Sequence, residues 1–194
     1  MNLTYFMNHL QNMVQLSPQW QAELKIRTKE ITVQKGSLLL YPQDICKHIY
    51  FIRSGFFRVF STENELEETV DFASADHFVT SLQSFFTQKN GKEGIVCETE
   101  GILLQLNYYD ILALQDLSAD FLRLNNLILQ QYLLLLNKEK NIYRTANATE
   151  KYLYLCQQYP GIANIVSHKH IASYLGIAAP TFSNLLKDLL NKHN

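Results

Sequence analysis

The stretch 118–143, SADFLRLNNLILQQYLLLLNKEKNIY, constrains the fold of this chain more than any other. It holds no Pro or Gly, and from Leu127 to Leu136 apolar residues run all the way round a helix, so more than one face has to be buried. Phe121, Leu124, Ile128, Gln131, Leu135 and Ile142 form one seam, which Lys138 interrupts. Leu122, Leu129, Leu133, Leu136 and Tyr143 form a second. Two seams ask for two partners. At about 1.5 Å per residue the helix would run roughly 40 Å, more than a small domain needs for its own core. That length favours a dimer spine with the first seam as the interface between copies; a central helix inside a monomer is the competing arrangement. Asn125, Asn126, Gln130, Gln131 and Asn137 break the run well short of the about 20 apolar residues of a membrane span.

Around this helix the sequence changes period. Residues 1–30 read as helix, with Ser17 and Pro18 as a start signal and Trp20, Leu24 and Arg27 on one stripe. From Ile31 onward, ITVQKGSLLLY, HIYFIRSGFFRVF and ETVDFA are short β-branched and aromatic runs, and residues 95–99 and 102–106 add two more. Breaks fall at Gly36, at Pro42 to Asp44, at Gly55 and at Gly91. Such spacing predicts an antiparallel barrel or roll. Asn107 is placed to cap a short helix leading into the spine.

After the spine the signals are helical. Asn147 to Glu150 has the capping-box pattern, Pro160 and Gly161 stop that helix, and Ser167 caps the next. Gly176 ends it, and Pro180 suits the first turn of another carrying Phe182, Leu185, Leu186, Leu189 and Leu190. Two short helices joined by a Gly-containing turn, with small Ala172 allowing a close crossing, make a helix-turn-helix. The class is therefore α+β: residues 1–116 as a roll, 117–144 as the long helix, and 145–194 as an all-helical C-terminal unit.

The net charge of −1 hides an asymmetry. From Lys138 onward seven Lys or Arg face three acids, a balance of +4 that leaves the rest of the chain at −5. A basic tail behind an acidic body is the sign expected when the tail meets nucleic acid. The N-terminus, MNLTYFMNHL, lacks the pattern of a signal peptide, so a cytoplasmic location is expected. Cys46, Cys97 and Cys156 lie far apart without CxxC spacing, which argues for buried free thiols over a disulfide framework or zinc site. His48 and His77 lack partners at metal-ligand spacing, and no cofactor motif is present.

The segment IASYLGIAAPTFSNLLKDL, residues 171–189, resembles the helix-turn-helix of the Crp/Fnr family of bacterial transcription regulators. KGSLLLYPQDICKHIYFIRSGFFRVF, residues 35–60, looks like the first strands of that family's cyclic-nucleotide-binding-like roll, and ATEKYLYLCQQYP looks like the helix opening its DNA-binding unit. The resemblance implies a homodimer joined by the long helix, with DNA, a second copy and RNA polymerase as partners and no membrane. It places Ser167, His168, Lys169, Thr181, Ser183, Asn184 and Lys187 at the DNA, and Phe78, Thr80, Ser81, Phe85 and Lys92 around the effector pocket.

Two departures shape the expected function. Thr80 and Ser81 stand where the family's Gly-Glu pair would hold a nucleotide, and residues 92–96 offer no arginine for its phosphate. Gln43 replaces a turn glycine. Cyclic AMP and cyclic GMP are not expected as effectors; a non-nucleotide effector, or one lost altogether, is expected, and its identity stays open. On the reading helix, Ala179, Asn184 and Leu186 stand where arginines are common, and the end of the sequence at Asn194 leads us to expect a short or absent wing. The leading expectation is a sequence-specific DNA-binding regulator; the alternative is a dimeric sensor or interaction protein that has lost specific DNA binding. An enzyme is not expected, because the sequence has no nucleophile elbow, phosphate-cradling loop or HExxH, and Glu63, Glu65, Glu67 and Glu68 fit a solvated hairpin loop.

Overall fold

The computed structural model describes residues 3–62 and 66–191. Glu63, Glu65 and Lys192 lie outside the described residues. The region expected as one helix divides in two, α1 (Thr4–Gln11) and α2 (Pro18–Arg27). The division has a local cause: the Ser17 hydroxyl accepts from the Trp20 N–H at 3.5 Å, starting a new helix with Pro18 in its first turn.

Eight strands follow in order: β1 (Lys29–Val33), β2 (Leu38–Leu40), β3 (His48–Ser54), β4 (Phe57–Ser61), β5 (Glu68–Ala73), β6 (Phe78–Val79), then, after helix α3 (Leu82–Thr87), β7 (Glu93–Cys97) and β8 (Gly101–Asn107). They make two four-stranded antiparallel sheets, ordered β1-β8-β3-β6 and β2-β7-β4-β5. β6 and α3 fall within residues 78–87, between the expected strand runs. The turn between β3 and β4 needs glycine: Gly55 has φ +99°, and a Cβ on it would stand 2.7 Å from the Gly101 Cα. Gln43 also has positive φ, 73°, so the position where glycine is expected keeps the left-handed backbone with a side chain on it.

Leu40, Tyr50, Ile52, Phe57, Val59, Val79, Phe85, Ile95 and Leu103 fill the roll. A separate cluster joins α1 and α2 to the outer face of β3 and β8 through Phe6, Leu10, Leu24, Phe51 and Leu104. Helix α4 (Tyr108–Leu117), capped by Asn107 accepting from the Tyr109 N–H at 2.9 Å, leads into α5 (Ala119–Thr145), capped by Ser118.

The first seam of α5 goes to a different partner than expected. Phe121 is 7 % exposed and Leu124 2 %, both packed into the cluster of α1, α2 and β8. Their own chain covers them, so they are not open to a second copy. Ile128, Gln131 and Leu135 turn toward the roll and Ile142 is half-buried. The outward apolar residues are instead Leu122, Leu133 and Leu134, with Leu133 63 % exposed and Leu134 71 %.

Helices α6 (Ala148–Gln158), α7 (Ile162–Ile165), α8 (His168–Leu175) and α9 (Ala179–Asn191) form the head. The capping box closes as the sequence predicts, with Asn147 N–H to Glu150 Oε2 at 2.8 Å and Glu150 N–H to Asn147 Oδ1 at 3.0 Å. Gly176 caps α8 at φ +69°. The core of the head, Tyr152, Leu155, Ile162, Ile171, Leu175 and Phe182, also includes Phe56 and Phe72 from the roll, so head and roll share one apolar cluster.

Candidate functional site

Between the roll and the middle of α5 lies a cavity of about 320 Å³. Its apolar wall comes from Phe72, Phe78, Leu82 and Phe86 on the roll and from Ile128, Leu129, Leu135 and Leu136 on α5. Asp71, Asp76, His77 and Thr80 enter from the roll, Gln131, Tyr132 and Glu139 from α5, His9 from α1 and Tyr159 from the head. Among the described residues, no Lys or Arg lines it. A larger, shallower hollow of about 530 Å³ opens along residues 39–50 and Asn90, but no described residue of α5 or the head borders it.

A β-bulge aims Asp71 at the cavity. Val59 pairs with Asp71 and Phe60 with Thr69, which leaves Val70 unopposed and twists the strand locally. Asp71 Oδ1 accepts from the Phe72 N–H at 2.8 Å. Burial, and next the charge of Glu139, pushes the Asp71 carboxyl up to about 7 against that hydrogen bond. Burial also raises Glu139, opposed by Lys138 and His77. The Tyr132 hydroxyl is raised by burial first and then by the charges of Asp71 and Glu139. The cavity thus resists further negative charge.

Of the five expected pocket residues, Phe78 and Thr80 line this cavity. Thr80 also donates to the His48 carbonyl at 2.9 Å. Ser81 is buried and donates to Glu93 at 2.5 Å, Phe85 packs inside the roll, and Lys92 is exposed; none of these three borders the cavity. Sequence reasoning missed Asp71, Tyr132, Glu139 and Tyr159. The signal for the first was present: an aspartate between Val70 and Phe72 in a strand is out of place unless a bulge or a ligand uses it.

The seven expected DNA-contact residues are all exposed, Ser167, His168 and Lys169 at the start of α8, and Thr181, Ser183, Asn184 and Lys187 along α9. Phe182 and Leu185 fasten the opposite side of α9 into the head core, and His168 packs edge-on against Phe182 at 5.5 Å. Ser183 donates back to the Ala179 carbonyl at 3.1 Å. The first residues of α8 and one face of α9 are therefore exposed.

The head rests on the roll through α8 and the end of α6. The Thr69 N–H donates to Ser173 Oγ at 2.9 Å, and the Tyr159 hydroxyl donates to the Phe72 carbonyl at 2.5 Å. Tyr159 also meets Phe56 edge-on at 5.3 Å. Beside them Arg58, only 4 % exposed, pairs with Glu98 at 2.6 Å and Glu67 at 2.7 Å. Glu67 lies 3.7 Å from His170, whose pKa is lowered by burial and by Arg58. Strand β5 thus presents Asp71 to the cavity and Thr69 and the Phe72 carbonyl to the head, and Tyr159 touches both.

No curated protein matches the chain significantly in sequence. The family model described as the cyclic nucleotide-binding domain matches residues 30–116. Among solved structures, the chain is similar to the c-di-GMP-responsive global regulator CLP of Xanthomonas campestris, with a TM-score of 0.68 and 15 % identity over 91 % of this chain and 93 % of that one. It is similar also to FixK2 of Bradyrhizobium japonicum, with a TM-score of 0.70 and 12 % identity over 86 % of each chain. A Ruegeria pomeroyi protein named for cyclic nucleotide binding by assignment only matches with a TM-score of 0.67 and 10 % identity over 98 % of this chain and 89 % of that one. Among the described residues, no helix is long and apolar enough to cross a membrane. Residues 30–116 thus match the cyclic nucleotide-binding domain model, and the chain as a whole shares its fold with these regulator structures, the fold of the Crp/Fnr type.

Proposed function

We propose that this chain is a dimeric, sequence-specific DNA-binding transcription regulator, with residues 1–116 as effector module, 117–144 as spine and 145–194 as reading head. The observation that carries the reading is β5: one strand borders the cavity and holds the head, so cavity and head share a mechanical part. The docked arrangement is one of two positions of the head. A ligand or partner that binds one position better shifts the balance by its difference in affinity, and the exposed faces of α8 and α9 move accordingly. Asn184 is suited to adenine, Thr181 and Ser183 to a thymine methyl or phosphate, and Lys187 and Lys169 to phosphates. Cyclic AMP and cyclic GMP do not suit the cavity, because Asp71 and Glu139 oppose a phosphodiester and no guanidinium among the described residues lines it to receive one.

Selection of bound fragments from random DNA, followed by a salt titration, tests this. Enrichment of one sequence, with affinity falling steeply as salt rises, is expected; no enrichment over random DNA removes the reading. A second reading, a dimeric sensor that works without DNA, draws on α9 itself. Lys187 is the one Lys or Arg on its described residues, and Asp188 lies beside it. In that case Lys187→Glu and Asn184→Ala leave transcript levels unchanged, whereas disruption of the spine at Leu135 alters them.

A further inference from the structure

We infer that the cavity between the roll and α5 takes an organic ammonium ion with an apolar body. The inference rests on reading this cavity as the effector site. Its volume of about 320 Å³ lies at the small end of ligand sites, enough for a compact organic molecule and too little for a large one. Phe78, Phe86 and Leu135 give an apolar seat, while Asp71 and Glu139 approach from opposite sides, one on the roll and one on the spine. Carboxylates buried near one another without a permanent cation are costly, and among the described residues the chain supplies that wall with only the imidazoles of His9 and His77 and with no Lys or Arg. A ligand ammonium supplies the permanent positive charge that neutral imidazoles do not. It can donate to both acids at once, and its hydrocarbon part covers the aromatic wall.

Such a ligand also explains why the site sits where it does. Bridging Asp71 on β5 to Glu139 on α5 would draw the spine toward the strand that holds the head through Thr69 and the Phe72 carbonyl. Tyr159, which borders the cavity and donates to that carbonyl, would feel the ligand directly. A neutral or anionic ligand has no such reason to bridge the two elements.

The test is calorimetric titration of the full chain, without DNA, using phenethylammonium, tryptammonium and hexylammonium, each beside a carboxylate of similar size, with cyclic AMP as the phosphate arm. At least one ammonium should bind saturably and at least tenfold tighter than its carboxylate counterpart. Asp71→Asn and Glu139→Gln, which keep shape and remove charge, should each weaken it about tenfold or more. Gln131→Arg, which places a cation of the chain's own at the cavity, should abolish it. Absence of binding by every ammonium, equal or tighter binding of the carboxylates or cyclic AMP, or binding untouched by Asp71→Asn overturns the inference. The two proposals fail separately: sequence-selective DNA binding without ammonium binding removes only this one, and ammonium binding without enrichment of any DNA sequence leaves the ligand site and removes the regulator.

Discussion

The first turns of α5 and its middle turns carry the same kind of residue and end in opposite surroundings. Phe121 and Leu124 are sealed beneath α1 and α2, whereas two turns on Leu133 and Leu134 stand in solvent and Leu135 and Leu136 border a hollow. Hydrophobic periodicity says that a face needs covering; it does not say by what. The N-terminal helices reach only the beginning of the spine. Beyond them one side of the helix faces the roll across the cavity, and Leu133 and Leu134 on the other keep their apolar character without a cover from the described chain, the surface the proposed dimer would use.

The largest effect should separate those two halves. Leu124→Ala removes a side chain packed on every side and should cost about 2–5 kcal/mol of unfolding free energy. Leu134→Ala should fall within about 0.5 kcal/mol in the dissociated chain. Denaturant titration at low concentration reads both, and equal losses would mean that the two halves are not differently packed. Next in size is the acid at the hollow. Asp71 is raised from its ordinary 3.8 to about 7, so between those values the folded chain holds a proton that the unfolded chain has lost. Its contribution is fully present below pH 4 and is lost as pH rises through about 7, a change of at most about 4 kcal/mol. Asp71→Asn should flatten that slope and stabilise the chain at pH 8. An unchanged slope would show that the carboxyl is solvated and the hollow open to water.

The outward stripe gives a third contrast. Leu133→Glu with Leu134→Glu should leave the melting of the dilute chain almost unmoved and shift the sedimenting species at micromolar concentration from two chains to one. A wild-type chain that sediments singly would leave the stripe without its proposed partner, and the reading heads without the pairing that sets their spacing on a duplex.

Local chemistry made most of the framework legible in the sequence. Asn107, Ser118, the Asn147 and Glu150 pair, Ser167 and Gly176 act within three or four residues of themselves, and each caps as its type requires. The strands from β1 to β5 follow from period and turn residues in the same way. What depends on distant packing was not legible. The head's use of Phe56 and Phe72, the buried Arg58 between Glu67 and Glu98, and the meeting of Asp71 with Glu139 join residues up to about a hundred positions apart, and no spacing rule links them. Ser81, Phe85 and Lys92 were placed by analogy with a nucleotide pocket, whereas the hollow itself is set by a bulge one strand away.

The smallest expected effect bears on how firmly the two regions communicate. Ser173 Oγ receives the buried Thr69 N–H, and Ser173→Ala leaves that donor without its partner at a cost of about 1–3 kcal/mol. Because the apolar contacts of Phe56 and Phe72 remain, the head should stay folded and only sit less tightly on β5. Amide exchange at Thr69 should then quicken about tenfold or more while the amides inside α8 keep their protection, since local opening is limited by the weaker contact. If the Thr69 and α8 amides accelerate together, head and roll open as one unit and β5 is not a joint between them. If neither changes, the aromatic contacts alone hold the head, and the coupling is to be sought at Tyr159, which touches both the cavity and the strand.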